Sequence, residues 1–142
     1  MVDAICRDDV EGVRGLVVRH PHLLHEDARG VKGNWGPPMS YAANLGRNRI
    51  IRMLRGLGAE DVQYAFDRAC LQGEIDTARL LLDHGADPNA RASLRKRLRF
   101  VEDETLHEYR DVTPLAWGER FHDQSFVSRP ALQLIRERGG RC

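Results

Sequence analysis

Lysine is nearly missing from this chain: Lys32 and Lys96 are the only two among 22 basic residues, and the rest are arginine. Aromatic residues make up 6% of the sequence, and cysteine is limited to Cys6, Cys70 and Cys142. An odd, scattered set of that kind fits neither a disulfide framework nor a zinc spacing, and it suits a reducing compartment. No run of about 18 apolar residues is present, which excludes a membrane-spanning helix. The first residues, Met1-Val2-Asp3-Ala4-Ile5-Cys6-Arg7, carry acid where a secretory leader needs base, so the cytoplasm is the expected location. With 21 acidic residues against 22 basic ones the net charge is +1, and whole-molecule attraction to nucleic acid or to a membrane surface is excluded. The arginine excess has two readings. Arginine is enriched at protein interfaces, and it also follows genomic base composition.

What the chain does have is 42% hydrophobic residues over 142 positions, enough for one globular domain with its own core. It also repeats itself. Ala42-Ala43-Asn44-Leu45-Gly46 leads to Ile51-Arg52-Met53-Leu54 and then Gly58-Ala59-Glu60. Ala69-Cys70-Leu71-Gln72-Gly73 leads to Ala78-Arg79-Leu80-Leu81 and then Gly85-Ala86-Asp87. Gly46 to Gly73 and Gly58 to Gly85 are both intervals of 27 residues. A period of this size predicts a solenoid, in which each unit buries its apolar face only against its neighbours.

Helical signals place the elements. Asp61 is a good N-cap for a helix over 62–71, and Ile75, Ala78, Leu81 and Leu82 form one stripe of a helix over 75–84 that Gly85 ends. Pro38 suits the first turn of a helix through Tyr41 to Ala43, and the next helix carries Ile50, Ile51, Leu54 and Leu57 up to Gly58. A weaker copy covers Asp9 to Val17, behind a truncated helix from Val2, and Gly12 and Gly15 each cost it about 1 kcal/mol relative to alanine. Another begins at the cap Thr113-Pro114-Leu115 and ends in a helix over 129–138 that turns Ala131, Leu132 and Ile135 inward.

These residues resemble the ankyrin repeat. Thr113-Pro114-Leu115 matches the opening of that pattern, Gly85-Ala86-Asp87-Pro88-Asn89-Ala90 its close, and Asp27-Ala28-Arg29-Gly30 its turn. The resemblance implies an all-α helix-turn-helix solenoid, with repeats at about 1–28, 34–60, 61–90 and 111–140 and an insertion at about 91–112. The family period is about 33 residues, so units 27 apart imply that the β-turn finger between them is nearly absent. Two other fingers are lengthened, one around Trp35 and one from Arg91 to Val112. By resemblance, the two residues before each conserved glycine line a concave groove. Here those are Asn44 and Leu45, Leu71 and Gln72, and Arg120 and Phe121, with Trp35 at a finger tip. Leu45, Leu71 and Phe121 would be an exposed apolar row suited to a protein partner; the alternative is that they pack inside the stack.

The insertion starts with a basic run that includes Arg95, Lys96, Arg97 and Arg99, followed by Glu102, Asp103, Glu104, Glu108 and Asp111. The pattern predicts a hairpin, Leu98–Val101 against about Glu108–Val112, with its charges paired across the strands. A partner-protein site and a polyanion or nucleic-acid site are the alternatives for that run. His20, His22 and His25 lack the geometry of a metal site and read as surface histidines near a helix end. No nucleophile elbow, triad or phosphate-cradling glycine loop is present, since Gly30, Gly33 and Gly36 have turn spacing and Ser40 and Ser125 stand outside any triad context. The expectation is therefore a non-enzymatic module without metal or cofactor that binds a protein partner. Self-association through the terminal repeats, as part of a larger system, is a further reading.

Overall fold

Each of the two units spaced by 27 residues folds as a helix, a tight turn and a second helix. The computed structural model describes residues 1–30, 36–97, 106–116 and 129–141, with the strands and residue 131 described by backbone alone. The first pair is α1 (Val2–Cys6) and α2 (Val10–Arg19), followed by a 3₁₀ turn at Pro21–Leu24. The second is α3 (Pro38–Asn44) and α4 (Asn48–Gly56), and the third is α5 (Val62–Gln72) and α6 (Ile75–Asp83). A hairpin of β1 (Ala92–Arg97) and β2 (Leu106–Val112) follows, then a helical turn at 114–116 and α7 (Arg129–Glu137).

First helices stack on first helices and second on second: α1 meets α3, α3 meets α5, α2 meets α4, and α4 meets α6, which in turn meets α7. The α3–α5 contact is the largest between helices, and small buried residues line both (Ala42 and Ala43 on α3; Ala65, Ala69 and Cys70 on α5), letting the backbones come close. Larger groups fill the layer between first and second helices. Ile5, Val13, Met39, Ile50, Ile51, Leu54, Phe66, Leu81 and Ile135 are fully buried. Each such side chain contributes about 1.5–3 kcal/mol of transfer free energy. Leu57, expected inward on the stripe of α4, sits instead at that helix's C-terminal cap and is exposed.

The tight turns are built alike three times. Asp9 N donates to Ala4 O, Arg47 N to Ala42 O and Glu74 N to Ala69 O, at 2.9, 3.0 and 2.9 Å. The residue just before each donor is left-handed: Gly46 at φ 68° and Gly73 at φ 71°, but Asp8 at φ 56° in the first pair. The loop after each second helix repeats too, with Ala59 N donating to Leu54 O and Ala86 N to Leu81 O, both at 3.0 Å. Thr77 Oγ1 ties α6 to α4 through Asn48 Oδ1 at 2.5 Å.

Asp61 does not cap its own helix. No side-chain bond reaches the first turn of α5; Asp61 Oδ2 accepts instead from Ser40 N at 3.1 Å and from Ser40 Oγ at 2.5 Å. Ser40 N is an amide of the first turn of α3, one of the donors a helix cannot satisfy itself. With the intervening finger cut short, the carboxylate comes within reach of the preceding repeat and caps that one. The cap expected at Thr113 forms locally, Oγ1 accepting from Ala116 N at 3.2 Å, and Asp9 caps α2 in the same way, Oδ1 accepting from Gly12 N at 2.9 Å.

The hairpin forms at other residues than expected. Its first strand is 92–97, earlier than Leu98–Val101, and residues 98–105 lie outside the described part. The strands are antiparallel, with Arg95 opposite Glu108 and Lys96 opposite His107, and an irregularity between Ala92 and Leu94. The hairpin is the only β structure among the described residues.

Candidate partner-binding face

A stack of this kind presents whatever its first helices do not bury. On α5 the buried positions are Val62, Ala65, Phe66, Asp67, Ala69, Cys70 and Leu71. Of the remainder, Gln63 bonds the Asp87 backbone, and Tyr64, Arg68 and Gln72 form a stripe at four-residue spacing on one helical face. On α3 only Tyr41 escapes burial, and Leu45 follows at the helix's end, half-buried against the core.

The register of the repeats explains where the expected groove residues go. Asn44 and Leu71 occupy the same place in consecutive units, two positions before the turn glycine, and they are 5% and 6% exposed. Leu45 and Gln72 occupy the next place, and both are half-exposed. The pair before the glycine is thus split, its first member packed between repeats and its second turned outward. Leu71 is a core residue, and the exposed apolar row loses it. Asn44 is a structural polar group: Nδ2 donates to Ser40 O at 3.0 Å, and Oδ1 accepts from Arg68 Nε at 2.8 Å.

That last bond fixes the guanidinium of Arg68 across the α3–α5 seam. Burial lowers Arg68 from the ordinary arginine value, and Tyr64 beside it acts in the opposite sense. The Tyr64 hydroxyl is raised, first by burial, with Arg68 opposing and Asp27 and Asp67 adding. The arginine held by Asn44 thus lies beside a tyrosine that is 39% exposed. Sequence reasoning missed Tyr41, Tyr64 and Arg68. The signal was available, because Tyr64, Arg68 and Gln72 share one helical face and Tyr41 lies one 27-residue step before Arg68.

Trp35, Arg99, Arg120 and Phe121 lie outside the described residues. Arg95, Lys96 and Arg97 lie on β1, where they oppose Glu108, His107 and Leu106. His20 and His22 meet edge to face with ring centroids 5.9 Å apart, and no cluster of three metal-ligating side chains occurs among the described residues. Cys70 is buried, which raises its thiol far above the ordinary value. No helix among the described residues is long and apolar enough to cross a membrane.

The fold defines a stack of helix-turn-helix repeats. The family model of the ankyrin repeat matches residues 63–93, which identifies α5, α6 and the loop after them as an ankyrin repeat. A comparison with curated proteins returns no match. The α3–α4 unit reproduces the matched repeat at an interval of 27 residues, down to the backbone bonds of its turns.

Proposed function

We propose that this chain is a non-enzymatic binding module whose protein partner docks across Tyr41, Leu45, Tyr64, Arg68 and Gln72. The observation that carries the reading is the Arg68 Nε to Asn44 Oδ1 bond, which holds an arginine beside an exposed tyrosine at the stacked first helices. Affinity would come from the tyrosines, and orientation from the fixed guanidinium. Trp35, Arg120 and Phe121 enter the same proposal by their sequence positions alone. A cytoplasmic location, where thiols stay reduced, suits the free Cys6 and Cys70.

The test is affinity capture from source-cell lysate, followed by binding of the recovered protein, purified, to wild type and to Tyr64→Ala and Gln72→Ala variants. Loss of about tenfold or more in affinity for Tyr64→Ala, with the fold retained by circular dichroism, supports the face. Binding that survives both variants but collapses in high salt would transfer the site to the Arg95–Arg97 run, the polyanion reading. The opposition of Arg95 and Glu108 in the hairpin register counts against that outcome.

A further inference from the structure

The three turns that bond alike set the second helices in register: Asp9, Arg47 and Glu74 are equivalent donors, and residues at equal distances after them are equivalent too. Two places on stand Glu11, Arg49 and Asp76, and five places on stand Arg14, Arg52 and Arg79. All six are exposed. In the first and third units the acid and the arginine pair within the helix, Arg14 Nη1 with Glu11 Oε1 at 2.9 Å and Arg79 Nη1 with Asp76 Oδ1 at 3.1 Å. In the middle unit, arginine stands at both places.

Arg49 and Arg52 lie on the face of α4 opposite its buried Ile50, Ile51 and Leu54. The helix itself carries no acid, and neither arginine has an ion pair among the described residues. The second helices on both sides, α2 and α6, are described, and Glu11 and Asp76 are already held by their own arginines. Arg47 also stands where the neighbouring units have acid, but it reaches back to the preceding turn, with Nη2 donating to Cys6 O at 2.9 Å. The free chain bears a cost for this arrangement. Like charges three apart on a helix repel, and arginine in a first turn opposes the helix dipole.

We propose that Arg49 and Arg52 seat a carboxylate-rich segment of a partner protein, laid over α4. Each guanidinium can hold a carboxylate through a two-bond fork. Glu11 and Asp76 border the site on α2 and α6, so negative charge is welcome only across the width of one helix. That border selects a short acidic stretch over nucleic acid, whose phosphate backbone would run on past both acids. Two neutralised phosphates would also bind it weakly, and a net charge of +1 adds no wider attraction. Further along the same face, Gly56 has open space above it, and Val18, its equivalent on α2, is 62% exposed. An apolar residue following the acidic ones would cover Val18. This surface belongs to the second helices and is separate from the Tyr64 and Arg68 face on the first.

The experiment is fluorescence anisotropy of a labelled hexaglutamate peptide ending in leucine, titrated with the full chain at ~20 mM salt, where exposed charges are little screened. Wild type is expected to bind it and not its glutamine counterpart. Arg52→Gln should weaken binding about fivefold, whereas Arg7→Gln, an equal charge change at the arginine paired with Asp3, should leave it unchanged. Arg49→Glu should weaken binding about tenfold or more and yet raise the urea midpoint, because it rebuilds the acid–arginine pair of α2 and α6. A purely structural role would move both readouts in the same direction. No binding by wild type at roughly millimolar chain overturns the proposal, and so does equal weakening by Arg52→Gln and Arg7→Gln. Loss of binding in Tyr64→Ala would place the peptide on the first helices, and tighter binding of a single-stranded oligonucleotide would make α4 a polyanion site; either result refutes the proposal. If Arg49→Glu loses its circular dichroism signal, the contrast between Arg52→Gln and Arg7→Gln decides.

Discussion

The carboxylate of Asp61 and the hydroxyl and amide of Ser40 form a cap that bridges two repeats, at 2.5 and 3.1 Å. A helix normally borrows its cap from its own N-terminal flank, whereas α3 borrows one from the helix that follows. This couples the repeats electrostatically where a finger would otherwise couple them sterically. Asp61→Ala is expected to cost about 1–3 kcal/mol, as a lost cap and a buried serine left short of its partner. Urea unfolding of Asp61→Ala, Ser40→Ala and the double variant checks it. Additive losses in that cycle would mean the two residues do not act together.

Asp8 occupies the left-handed position that Gly46 and Gly73 hold in the next two units. Aspartate tolerates this conformation better than most residues but still pays a steric cost that glycine does not. Asp8→Gly is expected to stabilise the chain by about 0.5 kcal/mol, and Asp8→Val to destabilise it by about 1–2 kcal/mol. Denaturation midpoints order the three proteins. A valine variant as stable as wild type would show that the turn is not held in the left-handed region.

Much of this architecture is legible in the sequence, because the 27-residue interval repeats the elements that make it: small residues where α3 and α5 stack, glycine at the turn, and branched apolar residues on the second helix. The limits of that legibility are equally physical. Asp61 has every local attribute of an N-cap, and only the position of the preceding repeat reveals that its oxygen is used elsewhere. The place of Leu71 before a glycine predicts exposure, but α5 remains helical through Gln72, and so Leu71 keeps the phase that points it into the seam. Tyr64 and Arg68 are marked by the four-residue stripe of α5 and not by their distance from the turn glycine. The hairpin was foreseen from its charges, while its register depends on backbone pairing that charge alone does not fix.

Asn89 links the third repeat to the last helix through backbone groups. Its Nδ2 donates to Gly139 O at 2.9 Å, and its Oδ1 accepts from Arg141 N at 2.7 Å. Thr113 Oγ1 adds a bond to Arg141 O at 2.6 Å, and Arg138 pairs with Asp83 at 2.9 Å. The ion pair is exposed and contributes little, so the amide of Asn89 is the stronger latch. Asn89→Ala is expected to cost about 1–2 kcal/mol and to accelerate amide exchange within 134–138 before the rest of the chain. Exchange that speeds up uniformly would mean α7 has no separate opening step.

Asp67 is the buried acid of this structure with the clearest consequence for pH. It is 5% exposed, and its Oδ1 has no hydrogen-bond partner among the described residues. Burial pushes its carboxyl up from 3.8 to about 7, against a side-chain bond from Gln63 that acts the other way. The sign follows from proton binding. Between about pH 4 and pH 7 the folded chain keeps this proton while the unfolded chain releases it, so stability falls as pH rises through that window and levels off above it. Relaxation of the site and entry of water temper the effect. Asp67→Asn removes the ionisation while keeping the shape. It is expected to stabilise the chain by about 1–3 kcal/mol at pH 8 and by little at pH 4. Urea unfolding of both proteins at those two pH values is the check. Parallel pH profiles for wild type and variant would show that Asp67 ionises as freely in the folded chain as in the unfolded one.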